Sequence, residues 1–406
     1  MPETTAAIAY LRSPLAIRAR CETILQAGIA GKLQHFSIEL DALPAVVDSV
    51  IAAMRAVNPE LTKLPLHGRI NHFRAGGTDR VAGFEAKLAA LPADERVRAW
   101  VDLIVVSVLL DAGAGEAWRY REPGTGIVIG RSEGLALASL HAFEAGVFSS
   151  DPVNRLCADV EGLRSLDPGR LADAFQIADD NPLAGVDRRI ALIRDLGTAL
   201  AANPTMFPGG RPGGLIDHLR ASGPTINASQ ILTALLEGLG SIWPGSIELG
   251  GANLGDVWRH PAAGGTGPSE GLVPFHKSSQ WIAYSLFEPL ERCSVAITHT
   301  GALTGLSEYR NGGLFVDLGV VRPNRDDATA KIHELGEELI IEWRALTVAL
   351  LDRVTEALQH KLGKTPAEMP LARVLEATWA AGRAAATSAR PGGGPPIRVH
   401  SNGNVF

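Results

Sequence analysis

Ser13-Pro-Leu-Ala-Ile-Arg-Ala-Arg-Cys-Glu-Thr-Ile-Leu-Gln-Ala-Gly-Ile-Ala-Gly31 reads as one helix from start to stop. Ser13 supplies a side-chain acceptor at the N-cap, Pro14 fits the first helical position, and apolar residues recur at helical spacing to Ala30 before Gly31 stops the run. The same signature predicts helices over Pro44–Val57, Arg80–Leu91, Ala93–Leu110, Ser132–Phe143, Asp187–Ala202, Ile226–Leu239, Ser278–Leu290, Asp326–Leu362 and Pro370–Thr387. Period-two alternation is scarce: Trp118–Tyr120 with Gly126–Ile129 reads as a short hairpin, and Ile397–Val399 as a strand. The expected fold is mainly α with few short strands.

With 406 residues, 46% of them hydrophobic, the chain can bury a large core, and no repeat, charge block or linker divides it. A single helical domain over residues 1–406 is expected, with an N-terminal helical part, 1–245, and a part, 246–406, that carries the main site motifs. Lys and Arg total 38 against 44 Asp and Glu, a net charge of -6, which gives no footprint for nucleic acid or an anionic membrane. A small-molecule substrate is the expected partner. Three scattered cysteines without a CxxC predict a reducing compartment. The best apolar run, Val101–Ala112, contains Asp102 and Asp111 and is too short to span a bilayer, and the N-terminus has no leader pattern, so a cytoplasmic protein is expected. The apolar face of the predicted Asp326–Leu362 helix packs either the core or a homo-oligomer.

Several motifs are missing. Neither Gly113-Ala-Gly115 nor Gly124-Thr-Gly126 completes a dinucleotide fingerprint, and there is no Walker loop and no GxSxG. His333-Glu334 opens like a zincin helix, but Glu337 stands where the second His belongs, so the pair reads as an exposed helix face; His67 and His72 have no cysteine partner nearby. No metal site and no cofactor are expected.

Polar and aromatic residues are densest from Ile247 to Gly313. In Glu248-Leu-Gly-Gly-Ala-Asn253-Leu-Gly-Asp256-Val-Trp258-Arg259-His260, glycines let backbone approach a ligand while Asn253, Asp256 and Trp258 offer hydrogen bonds and a stacking face; the plain alternative is a solvated loop. Phe275-His276-Lys277-Ser278-Ser279-Gln280-Trp281 enters an apolar helix with Lys277 and Gln280 three apart, either facing a pocket or merely flanking a serine cap. Leu303-Thr-Gly-Leu-Ser-Glu308-Tyr309-Arg310-Asn311-Gly-Gly-Leu-Phe315 sets a carboxylate, a phenol and a guanidinium between apolar anchors, either a structural ion pair or a tuned acid/base group. Upstream, Trp118, Arg131 and Glu133 lie in stretches of alternating aromatic, basic and acidic residues, to be read as salt-bridged loop or as substrate contacts.

Ser107-Val-Leu-Leu-Asp111-Ala-Gly-Ala-Gly115, Arg131-Ser-Glu133-Gly134, Asn181-Pro-Leu183, Pro274-Phe-His276-Lys277 and Glu308-Tyr-Arg-Asn-Gly-Gly313 together resemble the uracil-catabolism family of fungi and bacteria, over nearly the whole chain. The resemblance implies a step in a pyrimidine-degrading route that passes through ribosylurea, with cleavage of the urea–ribose bond as the expected reaction. Lys277-x-x-Gln280 followed by the stretch from Leu303 to Arg310 is also similar, more distantly, to the queuosine salvage proteins. Those proteins remove a base from a nucleotide on an architecture related to the helix-hairpin-helix DNA glycosylases. Where that motif has Asp before Tyr-Arg this chain has Glu308, and Asn311-Gly312-Gly313 replaces Val-Pro-Gln.

Cleaving an N-ribosyl bond passes through an oxocarbenium-like state that needs negative charge below the sugar, an oriented water and hydrogen bonds for the departing nitrogen. Glu308 is expected to provide the first two. Asp256 is the expected second carboxylate, orienting that water or reading sugar hydroxyls. Lys277 and Arg310 suit a 5'-phosphate, Asn253 and Gln280 an amide edge, and Trp258 or Trp118 the sugar or base; His276, Tyr309, Asn311, Arg131 and Glu133 complete the expected substrate contacts. Three other readings stand beside this one: a sensor that binds in the same pocket without turnover, an amidohydrolase of an open-chain ureido compound, and a scaffold, which would rest on an exposed apolar face of the Asp326–Leu362 helix.

Overall fold

The computed structural model describes residues 2–243 and 245–400. The fold is mainly α, and among the described residues the strands form short two-stranded pairs. Among the described residues no helix is long and apolar enough to cross a membrane.

Chain contacts separate two compact units. The first is built from residues 2–67, 245–280 and 299–400; the second is Gly68–Trp243 with Trp281–Thr298. The helix Lys277–Arg292 starts in the first and continues in the second.

In the first unit, helix Pro14–Ile29 begins as its sequence requires: Ser13 is extended and its hydroxyl accepts from the Ala16 amide at 3.2 Å. Its apolar face, Ile17, Cys21, Ile24 and Leu25, is fully buried and packs on the helix Glu338–Leu362. Arg18 crosses between the two helices to Asp352 at 2.8 Å. Helices Leu43–Val57, Tyr309–Asp317 and Leu371–Ala389 complete the bundle. Two antiparallel pairs flank it, Phe36–Ile38 with Val321–Pro323 and Val257–Arg259 with Leu272–Pro274.

In the second unit, helix Ala93–Leu109 is the core element and is buried on nearly every side after Val97. Its one central charge, Asp102, is fully buried and satisfied by Arg211 at 2.7 Å and by the amides of Ala158 and Gly213. The expected hairpin forms, Tyr120–Arg121 pairing antiparallel with Val128–Ile129.

Two expected elements differ, and one helix forms that the sequence does not predict. The run Asp326–Leu362 is not one helix: Asp327–Ala330 is a single turn, Ile332–His333 is a strand, and the long helix starts at Glu338. Strand Ile332–His333 pairs in parallel with Arg398–Val399, and Gly336 lies where an added Cβ would come within 3.2 Å of the Trp258 ring. His333 is therefore buried in a strand, bonded to Glu337 at 2.8 Å and to the Ala328 carbonyl at 3.0 Å, rather than on an exposed helix face. Ile226 belongs to a strand, Thr225–Asn227, and the helix begins at Ala228 behind an Asn227 capping box. Helix Tyr309–Asp317 forms where the sequence reading placed none.

Candidate active site

The first unit gathers Asp256, Trp258, Lys277 and Glu308 around the starts of two helices. Lys277 opens the first of these, and its amide donates to Asp256 Oδ2 at 3.1 Å. The same carboxylate accepts from Trp258 Nε1 at 2.7 Å on Oδ1, and from both terminal nitrogens of Arg344 at 2.8 and 2.7 Å. Four donors on two oxygens fill the roughly four lone-pair positions of a carboxylate. Burial alone would raise the Asp256 pKa, but the charge and hydrogen bonds of Arg344, with Trp258 and the Lys277 amide, outweigh it and hold it below the usual 3.8. Asp256 is thus an anchor whose four acceptor positions are taken by protein donors, with none left for water or sugar. Arg344 also donates to Ser307 Oγ at 3.3 Å, which ties this anchor to the residue before Glu308.

Glu308 caps the second helix, Tyr309–Asp317. Its side chain accepts from the Arg310 amide at 2.7 and 2.8 Å and more weakly from the Asn311 amide at 3.4 Å. Those two amides leave acceptor capacity on a carboxylate that is only 9% exposed, the opposite condition from Asp256. Burial pushes the Glu308 carboxyl above the usual 4.5, against the opposing pull of Lys277, the two amides and Arg310. A carboxylate raised by burial and steadied by nearby cations is the environment in which acid/base groups are tuned.

The neighbours of these two carboxylates are fixed rather than open. Gln280 Nε2 donates to the Phe275 carbonyl at 3.1 Å and to Thr304 Oγ1 at 2.9 Å, and its Oε1 accepts from the Thr304 amide at 3.0 Å. It staples the Lys277 helix to the segment leading into Glu308. His276 takes a left-handed φ of 47° and its Nε2 meets the Leu11 carbonyl at 2.9 Å; burial lowers its pKa below the usual 6.5. Asn311 is fully buried and accepts from Thr378 Oγ1 at 2.9 Å. Arg310 lies over the Tyr309 ring at 5.0 Å and donates to the Gly393 carbonyl at 2.8 Å. Asn253 lies in a short strand, paired with Glu248, and its Oδ1 accepts from the Gly255 amide at 2.8 Å.

Trp118, Arg131 and Glu133 belong to the second unit. Trp118 is fully buried, with Nε1 on the Phe175 carbonyl at 3.0 Å and its ring stacked on Tyr120. Arg131 is exposed and opens the helix Arg131–Glu144 with a φ of 57°. The Glu133 charge acts on Arg69, a fully buried guanidinium paired with Asp111 at 2.9 Å and bonded to Ser107 Oγ at 2.8 Å. Ser107 and Asp111, four residues apart on the sequence, thus converge on one cation.

Sequence reasoning missed Arg344, Thr304, Arg69 and a further group, His35, Glu338 and Glu342, whose ligand-type atoms all lie within 4.8 Å of one another. The available signal was charge inside apolar runs: Glu342 and Arg344 interrupt the otherwise apolar stretch Leu339–Leu351, and both are buried.

Comparison with known proteins reaches the whole of this arrangement. The chain is 36% identical over 413 residues to "Protein urg3" of Schizosaccharomyces pombe, covering 99% of this chain and 100% of that protein. It is 37% identical to "Uracil catabolism protein 4" of Lachancea kluyveri, covering 93% of each. A family profile described as "Protein of unknown function (DUF1688)" matches residues 10–406. On both grounds the chain belongs to the DUF1688 family.

Proposed function

We propose that this protein acts in uracil catabolism as an N-ribosyl hydrolase, with ribosylurea or its 5'-phosphate as substrate. The name of the Lachancea kluyveri relative supports the metabolic setting. The observation that carries the reaction is Glu308, a buried carboxylate with a raised pKa, spare acceptor capacity and Lys277 as the leading opposing charge.

In this reading Glu308 takes the proton of a water whose oxygen attacks the anomeric carbon as the C–N bond breaks. Its charge offsets the positive charge that develops on the sugar; the departing urea nitrogen takes a proton from solvent, and Glu308 returns to solvent the one it took from the attacking water. Asp256 is a positioning residue: it fixes the Lys277 amide and the Trp258 indole through one carboxylate. Lys277 suits the 5'-phosphate as a point charge, and the half-buried Trp258 offers a ring to the sugar. The assigned steps draw on no metal and no organic cofactor.

Product analysis tests the bond assignment. Incubation with ribosylurea is expected to release intact urea and a reducing sugar in equal amounts. Release of ammonia or carbamate in their place would assign the chain to amide hydrolysis, and tight binding without any product would make it a sensor.

A further inference from the structure

Away from Glu308, the first unit contains a cavity of about 400 Å³ lined by His35, Arg325, Lys331, His333, Glu337 and Glu338, among others. Its charges are unevenly satisfied. Arg325 pairs with Asp327 at 3.2 Å and Lys331 with Glu337 at 3.5 Å, so both basic side chains of the lining are taken. Among the described residues, Glu338 and Glu342, one helical turn apart at the start of the long helix, meet imidazoles and amides.

Glu342 is fully buried, and its orientation is set from behind. Its Oε1 accepts the backbone amides of His35 and Phe36 at 3.2 and 3.0 Å. His260 Nδ1 accepts from the Ala262 amide at 3.1 Å, which leaves the proton of the neutral ring on Nε2, 3.4 Å from Glu342 Oε2. A buried carboxylate whose described partners are backbone amides and a neutral imidazole is costly unless a cation offsets it. His35 Nε2 stands 3.7 Å from Glu338 Oε1, and one ligand atom from each of His35, Glu338 and Glu342 lies within 4.8 Å of the others. Tetrahedral bonds of about 2.1 Å would place ligand atoms about 3.4 Å apart, close to the 3.7 Å between His35 and the 40% exposed Glu338.

We infer that His35, Glu338 and Glu342 form a binding site for a first-row divalent cation of the Zn²⁺ or Mn²⁺ class, with its open coordination positions facing the cavity. The two carboxylates match the charge of the ion, and one nitrogen with two oxygens suits a borderline or hard cation over a soft one. The amides on Glu342 Oε1 and the His260 N–H are the outer hydrogen bonds that orient a ligating carboxylate. The ion would join the segment entering the strand Phe36–Ile38 to the first turn of the long helix. The site is independent of the ribosyl reading, because its test uses no substrate.

The experiment is Zn²⁺ titration by calorimetry on full-length, chelator-treated protein, with thermal melting alongside. Wild type is expected to take one equivalent and melt higher with Zn²⁺. His35→Ala and Glu338→Gln, at side chains 18% and 40% exposed, should fold, lose at least tenfold in affinity and show no thermal gain. Asp327→Asn, which alters the cavity lining outside the set, should bind as wild type does. Absence of binding by wild type, equal binding by the His35 and Glu338 variants, or loss on Asp327→Asn alone would each overturn the assignment.

Discussion

Arg344 grips both oxygens of Asp256, at 2.8 and 2.7 Å, between two side chains that are 0% and 9% exposed. The pair links the long helix to the strand Val257–Arg259 and, through the Lys277 amide, to the start of a third element. Asp256→Ala leaves a buried guanidinium without its partner and is expected to cost about 3–5 kcal/mol, the range for breaking a buried pair from one side. Denaturant unfolding measures this. A loss below about 1 kcal/mol would mean that the pair is not a structural anchor.

Glu308 carries a pH signature. Its folded pKa is raised, so between the usual 4.5 and the folded value the native state binds more protons than the unfolded chain. Stability therefore falls as pH rises through that window, and the deficit persists above it. Glu308→Gln removes this contribution. The stability of the variant relative to wild type is expected to be higher at about pH 8 than at about pH 4, and a difference that does not change with pH would contradict the shift.

Packing around Glu308 rests on a glycine. A Cβ at Gly382 would come within 2.3 Å of the Arg310 carbonyl oxygen, a backbone atom that cannot rotate away. Gly382→Ala is expected to cost about 1–3 kcal/mol and to lower activity by shifting the helix that Glu308 caps. Gly83, in the helix Arg80–Leu88, has nothing within 4 Å of its Cβ position. There the same substitution is expected to stabilise by about 0.4–1 kcal/mol. Melting temperatures of the two variants should move in opposite directions.

What could be read from the sequence was local. Ser13-Pro14 specifies its helix because cap, proline and periodicity act within one turn. Glu308 stood out as a carboxylate between apolar anchors, but the helix behind it did not, because Asn311-Gly312-Gly313 has low helix propensity. Gly312 is tolerated there because a Cβ would meet Thr347 and Trp343 at 2.8 Å, a tertiary constraint with no local trace. Asp256 was recognisable as a charged residue in a glycine-spaced stretch, whereas its partner lies 88 residues onward in a helix that reads as core. The sequence offers Gln280 as donor and acceptor for an amide edge, and the amide it meets is that of Thr304. His35 and Glu342 are 307 residues apart, and no spacing rule reaches that far.

Urea release from ribosylurea and its 5'-phosphate, by wild type and by Glu308→Gln, tests whether Glu308 acts on an N-ribosyl bond. Wild type is expected to release urea, and the variant to fall by about 10²–10⁴ in rate while it retains substrate binding and folding. No release of urea from either compound by folded wild-type protein, or equal release by the variant, would contradict it.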